Sequence, residues 1–384
     1  MIKGDAIMSE QSMKRTYWVA IGFYLIIVFE FFYMAGPFAL YFYSAYKPGL
    51  NFFYNTPALA WLPRFFLPHL VMMTTCPLID LHNMAGAVLT TLGLLGFIFG
   101  ATQVYASKLA KKGAVTGGVY NFVRHPQYTS LIFCGLGLLL LWPRYIVLVL
   151  FITMLFAYYL LARIEEKECE QKFGRAYIDY KEKTGMFIPL LLSRKIRTPP
   201  FPSAKGARIV VCLLIYLTAQ LGGIGVAKII ENHSKNSLYA HYSENAVHIS
   251  LTDLDSAKVQ NLVRAALNNP SVQSRLAQEE PGMRLLSYIV PWNVFISEIP
   301  MNVFEGPARE HFLRSGVETE VYKVIVNKAI LSGHGKATNE QILGRVTHRI
   351  PLIEIWINSA DSTIVQVLDP PEKKNYEGIP MPIF

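Results

Sequence analysis

Two short polar clusters interrupt a chain that is otherwise dominated by apolar runs. The first is Gly117-Gly118-Val119-Tyr120-Asn121-Phe122-Val123-Arg124-His125-Pro126-Gln127-Tyr128, and the second is Glu165-Glu166, just after the next apolar hairpin. A histidine, an arginine, tyrosines and paired carboxylates gathered at one membrane face ask for a ligand or a partner. Their types suit a cationic ligand that also carries hydrogen-bonding groups. Carboxylates and aromatic faces receive positive charge, and a Gly-Gly backbone permits close approach with free amides. His125 and Tyr128, three apart at a helix start, project onto one face. Pro126 suits the first turn of that helix. Glu165 and Glu166, at the end of the hairpin's second arm, can pair with a ligand ammonium or with Arg124.

The elements that must position these groups are membrane helices. Apolar residues make up 52% of the chain and charged ones 16%, with the apolar residues in runs that a water-soluble domain could not keep in water. Five stretches reach or approach the roughly 20 residues that a spanning helix needs: Tyr17 to Tyr43, Met84 to Ala106, Tyr128 to Trp142, Tyr145 to Ala162 and Ile209 to Ile230. Trp142-Pro143-Arg144 leaves no room for a loop, so the third and fourth form a tight hairpin. The first run is too long for a cleaved signal and is read as a signal anchor. Lys108, Lys111, Lys112 and Arg124 lie in one connecting loop and eleven Lys or Arg between Arg163 and Arg208 in another, whereas Ser44 to Asn83 holds Lys47 and Arg64 alone. The positive-inside rule then puts the N-terminus, both basic loops and both polar clusters in the cytoplasm.

Charge divides the chain as well. Residues 1–230 carry 22 basic and 10 acidic side chains, and residues 231–384 carry 14 and 17. The basic excess belongs to the membrane part, whose natural partner is the anionic inner-leaflet surface; no basic face interleaved with aromatics points to nucleic acid. The expected organisation is a multi-pass α-helical membrane protein of about five transmembrane helices with a C-terminal soluble α+β domain. Residues 1–83 form the signal anchor and an outer interfacial segment, 84–192 the membrane core, 193–231 a linker and last span, and 232–384 an extracytoplasmic domain. In that domain Leu254, Val259, Leu262, Val263 and Leu267 recur at helical spacing behind Thr252 and Asp253 as a cap. Val321 to Leu331 and Leu352 to Leu368 read as strands, the latter turning at Asn358-Ser359-Ala360-Asp361. Cys76, Cys134, Cys169 and Cys212 show no disulfide or metal spacing, and a cysteine-free tail suits a bacterial periplasm. His233, His241, His248 and His334 share no metal-ligand spacing and read as surface groups; no metal is expected. Glu30 in the first span by default marks a site, although near a helix end it can simply reach water.

One ligand of this kind is a methyl donor such as S-adenosylmethionine, whose sulfonium, amino-acid tail and adenine need residue types that the two clusters contain. The run from Thr116 to Pro189 resembles the isoprenylcysteine carboxyl methyltransferases and their bacterial and phospholipid methyltransferase-like relatives. The resemblance lies in Arg124-His125-Pro126-Gln127-Tyr128, Glu165-Glu166, Phe173-Gly174, Tyr177, Tyr180 and Phe187-Ile188-Pro189. It implies an S-adenosylmethionine-dependent enzyme with the cofactor in a cytoplasmic pocket and a lipid-like or prenylated substrate arriving from the bilayer. By the same resemblance His125, Tyr128, Glu165 and Glu166 hold the cofactor, Tyr120, Gly117 and Gly118 shape its cradle, and Arg124 orients the acceptor, so that Arg124, His125 and Glu166 form the catalytic set. Three positions depart from the pattern: Ser130 where glycine is common, Cys169 where a large aliphatic is usual, and Met186 where many members carry a basic residue.

Taken singly, each residue has a plainer reading. Arg124 can serve orientation alone, His125 can be structural, and Glu165 and Glu166 can pair with Arg163 and Lys167 at a helix end. Two other functions fit the chain: a membrane-anchored binding or assembly protein whose C-terminal domain meets a protein partner over a degenerate core, and a phospholipid or small-amine N-methyltransferase.

Overall fold

The structure is a computed structural model that describes residues 39–110, 115–190, 204–303, 321–332, 339–372, 378–380 and 382–384, together with Trp18, Ile21, Gly22 and Leu25. The chain runs through α1 (Ala39–Asn55), α2 (Pro77–Asp80), α3 (His82–Leu109), a 3-10 turn (Gly118–Asn121), α4 (Pro126–Leu141), α5 (Tyr145–Phe173), α6 (Arg175–Lys183) and α7 (Lys205–Asn236). There follow β1 (Ala240–Ser243), β2 (Ala246–Ser250), α8 (Ser256–Asn268), α9 (Pro270–Leu276), β3 (Leu285–Pro291), β4 (Val321–Leu331), α10 (Asn339–Arg345), β5 (Val346–Asn358) and β6 (Ile364–Leu368). Two compact units result. One comprises His82–Pro143 and Val147–Val226; the other joins Pro37–Leu81 and Arg144–Ile146 to Ala227–Phe384.

Three helical segments among the described residues are long and apolar enough to cross a membrane: Pro77–Ser107, Tyr145–Phe173 and Gly206–Asn236. These correspond to the second, fourth and fifth of the five expected spans. Helix α4 has 16 residues, about 24 Å at 1.5 Å per residue against a hydrocarbon core of roughly 30 Å. Most of the first expected span, Glu30 included, lies outside the described residues. Helix α4 packs closely on α3 because glycines face it. A Cβ on Gly93 would stand 2.4 Å from the Cys134 amide nitrogen, and one on Gly96 would stand 2.6 Å from Ser130 Oγ. Small residues at such a seam let backbones approach where no water is available to drive packing.

The second unit contains a six-stranded sheet in the order β1-β2-β3-β4-β5-β6, with β2 and β3 parallel and every other pair antiparallel. The parallel pair needs a crossover, supplied by α8 and α9. Val259, Leu262, Val263 and Val272 of these helices pack with Ile289, Val324 and Ile355 on one face. Val247, Ile249, Tyr288 and Ile325 pack on the other, with Leu343 of α10 and Val71. Val71 is notable because residues 51–83 read as an interfacial segment in the sequence. Here Met72 N bonds Leu251 O at 2.8 Å and Thr75 N bonds Ser237 O at 2.8 Å, which draws this stretch into the C-terminal unit.

Two further expectations are corrected. The cap of α8 is Asp255, which accepts from Lys258 N, in place of Thr252 and Asp253; the side chain must stand immediately before the first helical residue to reach the open amides. His248 is fully buried on β2, opposite His241. His334 lies outside the described residues.

Candidate active site

Backbone pairing builds the frame of the first unit's polar cluster. Gly118 adopts φ +64°, where a Cβ would collide with the Gln103 amide at 2.5 Å; Gln103 of α3 in turn donates to Gly117 O at 2.6 Å. The chain then makes one 3-10 turn and runs alongside the segment after α6. Val123 bridges Gly185 in parallel, Arg124 N donates to Gly185 O at 2.8 Å, and His125 N donates to Met186 O at 3.1 Å. Tyr180 OH adds a bond to Tyr120 O at 2.7 Å. Gly174, at φ +56°, breaks α5 from α6 and lets α6 return to this frame. His125 occupies the position before α4 and makes no side-chain cap, and Pro126 opens the helix. The imidazole is thus available for other partners.

Those partners come from α5. Met154, Tyr158, Ala162 and Glu166 recur every four residues and are all buried, so one stripe of α5 carries the carboxylate to the cluster. His125 Nδ1 lies 3.3 Å from Glu165 Oε2 and Nε2 lies 3.6 Å from Glu166 Oε1. Tyr128 OH donates to Glu165 Oε1 at 2.5 Å. The Tyr128 ring stacks on His125 at 5.6 Å between centroids and on Tyr158 at 5.3 Å. Arg124 Nε donates to Glu166 Oε1 at 2.6 Å, and its Nη1 donates to Lys181 O at 2.9 Å and to Thr184 O. Lys181 Nζ stands 3.1 Å from Glu166 Oε2 and 2.7 Å from Glu170 Oε1.

The two adjacent glutamates differ in access. The Glu165 side chain is 50% exposed and that of Glu166 2%. Glu166 is committed to Arg124, His125 and Lys181, whereas Glu165 can meet a ligand while keeping Tyr128 and His125. Burial opposes a charged His125, but the hydrogen bonds and charges of Glu165 and Glu166 outweigh it and raise the imidazole pKa above its ordinary value. Lys181 is likewise raised, burial again yielding to Glu170 and Glu166. Burial first, and then the charges of Glu165 and Tyr180, raise Tyr120. With His125 protonated, three cations (Arg124, His125, Lys181) face three carboxylates (Glu165, Glu166, Glu170). Such a cluster is close to charge balance, which offsets part of the cost of burying its charges.

Arg124, His125, Tyr128, Glu165 and Glu166 are therefore brought together. Tyr120, Gly117 and Gly118 form the adjoining loop: the Tyr120 hydroxyl donates to Gly100 O at 3.5 Å, and the Gly117 carbonyl is already used by Gln103. Sequence reasoning missed Tyr158, Lys181, Thr184 and Gln103. The four-residue stripe on α5 could have found Tyr158; Lys181 and Thr184 carry no local signal. Ser130 faces Gly96 in the α3 seam, and Met186 serves through its carbonyl and packs beside Tyr128 and Tyr158. Among the described residues no group of three or more His, Cys, Asp or Glu could hold a metal ion.

Residues 83–176 match the family model of phospholipid methyltransferases. The chain is also 37% identical over 78 residues to the protein-S-isoprenylcysteine O-methyltransferase of Saccharomyces cerevisiae, covering 20% of this chain and 33% of that protein. The chain thus spans about a third of the length of the curated relative it matches. No solved structure matches. The segment matched by the family model, which holds Arg124, His125, Tyr128, Glu165 and Glu166, is methyltransferase-like in sequence, in agreement with the resemblance carried by residues 116–189. Lys181, Thr184 and the whole sheet unit lie outside it.

Proposed function

We propose that this chain is an S-adenosylmethionine-dependent methyltransferase acting at the cytoplasmic membrane face on a lipid-like or prenylated acceptor. The observation that carries this reading is the accessible Glu165 carboxylate, fixed by Tyr128 and His125 at the end of an apolar hairpin. The donor set fits the cofactor: a half-exposed carboxylate for the ammonium or sulfonium, stacked aromatic faces behind it, and the exposed Gly117-Gly118 backbone for the base or carboxylate. When bound, S-adenosylmethionine supplies an electrophilic methyl group on a sulfonium.

The chain's own residues then divide the work. Glu165, Tyr128 and His125 receive the cofactor, while Tyr120 and Gly117-Gly118 shape the loop beside it. Arg124, assigned to the acceptor by the resemblance, spends its Nε and Nη1 on Glu166 and two carbonyls; it acts as a positioning residue that ties α5 to the segment after α6. Glu166 is its counterpart. Both His125 nitrogens face carboxylate oxygens, which raise its pKa and bias the ring toward its protonated form, in which it cannot act as a general base. That favours an acceptor needing no deprotonation, a carboxylate such as that of a prenylated cysteine, which is the substrate type in the yeast relative's name. Positioning and exclusion of water by the apolar hairpin supply the acceleration. The family model's description favours a second acceptor class, a phospholipid amine. The basic loops support cytoplasmic placement of this site and an extracytoplasmic sheet domain, free to meet a protein partner, and the cysteine-free tail suits a bacterial inner membrane with its periplasm.

The test is methyl transfer from radiolabelled S-adenosylmethionine in proteoliposomes, offering a farnesylated cysteine and phosphatidylethanolamine separately. Label in the first, as a base-labile ester, is the expected result. Label in the amine lipid would move the acceptor to the second class, and label in neither would remove the enzyme reading.

A further inference from the structure

The loop between α3 and α4 turns two large apolar side chains outward. Val119 on the 3-10 turn and Phe122 immediately after it, three residues apart, are 40% and 67% exposed. This is a well-fastened loop: Gln103 holds Gly117 O, Tyr180 holds Tyr120 O, and Gly185 and Met186 hold the amides of Arg124 and His125. Its outward phenylalanine is therefore a fixed feature of the fold. Apolar helices flank it on both sides. On α3, Ile98, Tyr105 and Leu109 lie seven and four residues apart and are all at least half exposed, the pattern of a lipid-facing stripe that continues to the helix end. A loop held between such helices sits where hydrocarbon gives way to headgroups.

We propose that Val119 and Phe122 form a wedge inserted at the acyl-headgroup boundary of the bilayer, with phospholipid chains as the partner that covers them. Apolar side chains on a short helical turn beside a spanning helix bind such a boundary by burying their area in it. The wedge lies three residues from His125 in sequence. It sets the depth of the Glu165–His125 cluster at the level where a lipid-like acceptor presents its head. This last step rests on the function proposed above; the lipid contact itself does not.

The experiment places a photoreactive benzoylphenylalanine at 119, at 122, or at Glu182, which is exposed on α6, in the full chain. The variants are reconstituted in phosphatidylethanolamine–phosphatidylglycerol vesicles, and adducts are identified by mass spectrometry. Phospholipid adducts several-fold more frequent at 119 and 122 than at 182 are expected. Equal frequencies, or adducts to protein in place of lipid, overturn the wedge. In a second arm, Phe122→Ser is expected to lose transfer to a vesicle-embedded acceptor several-fold while keeping transfer to a short-chain acceptor in detergent; equal losses on both would refute the depth-setting role. Lipid adducts in a protein that transfers no methyl group would leave the wedge standing and sink the enzyme, so the two failures are read separately.

Discussion

Glu165 and Glu166 are neighbours in sequence with opposite environments. Successive helical residues point about 100° apart, so one acid lies on the buried stripe of α5 and the other beside it, half exposed. The pair was legible in the sequence, but which member meets water depends on the rotation of α5 against its neighbours. The same holds for Arg124, to which the resemblance gave an acceptor contact and whose bonds to Glu166, Lys181 O and Thr184 O support the proposed role of a strut. Glu166→Gln removes the charge that Arg124 and Lys181 share. Breaking a buried pair on one side leaves an uncompensated charge and costs about 3 kcal/mol or more. The thermal midpoint in detergent should fall by several degrees for Glu166→Gln and by much less for Glu165→Gln. A Glu166→Gln midpoint equal to wild type would contradict the strut.

Among elements, the seam of α3 and α4 fixes where the loop bearing His125 begins. Glycines at 93 and 96 were visible in the sequence, yet their meaning was not, because Gly222 and Gly225 on α7 look the same and meet no neighbour within 4 Å. Close approach is a property of two helices together. Gly93→Val should force the seam open, at a cost of about 2 kcal/mol, with loss of folded yield and of methyl transfer together. Gly222→Val on the open face should leave both near wild type. Comparing the two by size-exclusion profile and activity decides the point. The hairpin itself was read correctly from Trp142-Pro143-Arg144, but its arms are unequal, 16 and 29 residues. An apolar run gives composition, and the helix end is set by where backbone bonds stop.

At the scale of the molecule, part of the C-terminal sheet was legible as strands and turns: β4 falls at Val321–Leu331 as expected, and the β5–β6 hairpin turns after Asn358, although β5 begins at Val346, six residues before the expected start. Recruitment of Pro37–Leu81 to that unit was not, since it depends on contacts such as His69 N to Ile383 O, more than 300 residues apart and without a local signal. Burial of His248 was also hidden; its burial, and secondarily the charge of His241, lower its pKa from 6.5 to about 4. Between those values the unfolded chain binds the proton and the folded sheet does not. This contribution, on the order of 3 kcal/mol, is therefore full above the unfolded value and is lost as pH falls toward 4. Hydrogen exchange in β2 should quicken between pH 7 and pH 5 after correction for intrinsic rates, and His248→Leu should flatten that dependence. The proposed function rests on a grip for a sulfonium donor, which a thermal-shift titration with S-adenosylmethionine in detergent tests most directly. Wild type should rise in midpoint with ligand concentration, and His125→Ala and Glu165→Gln should rise little or not at all. No shift in wild type, or equal shifts in all three, would contradict it.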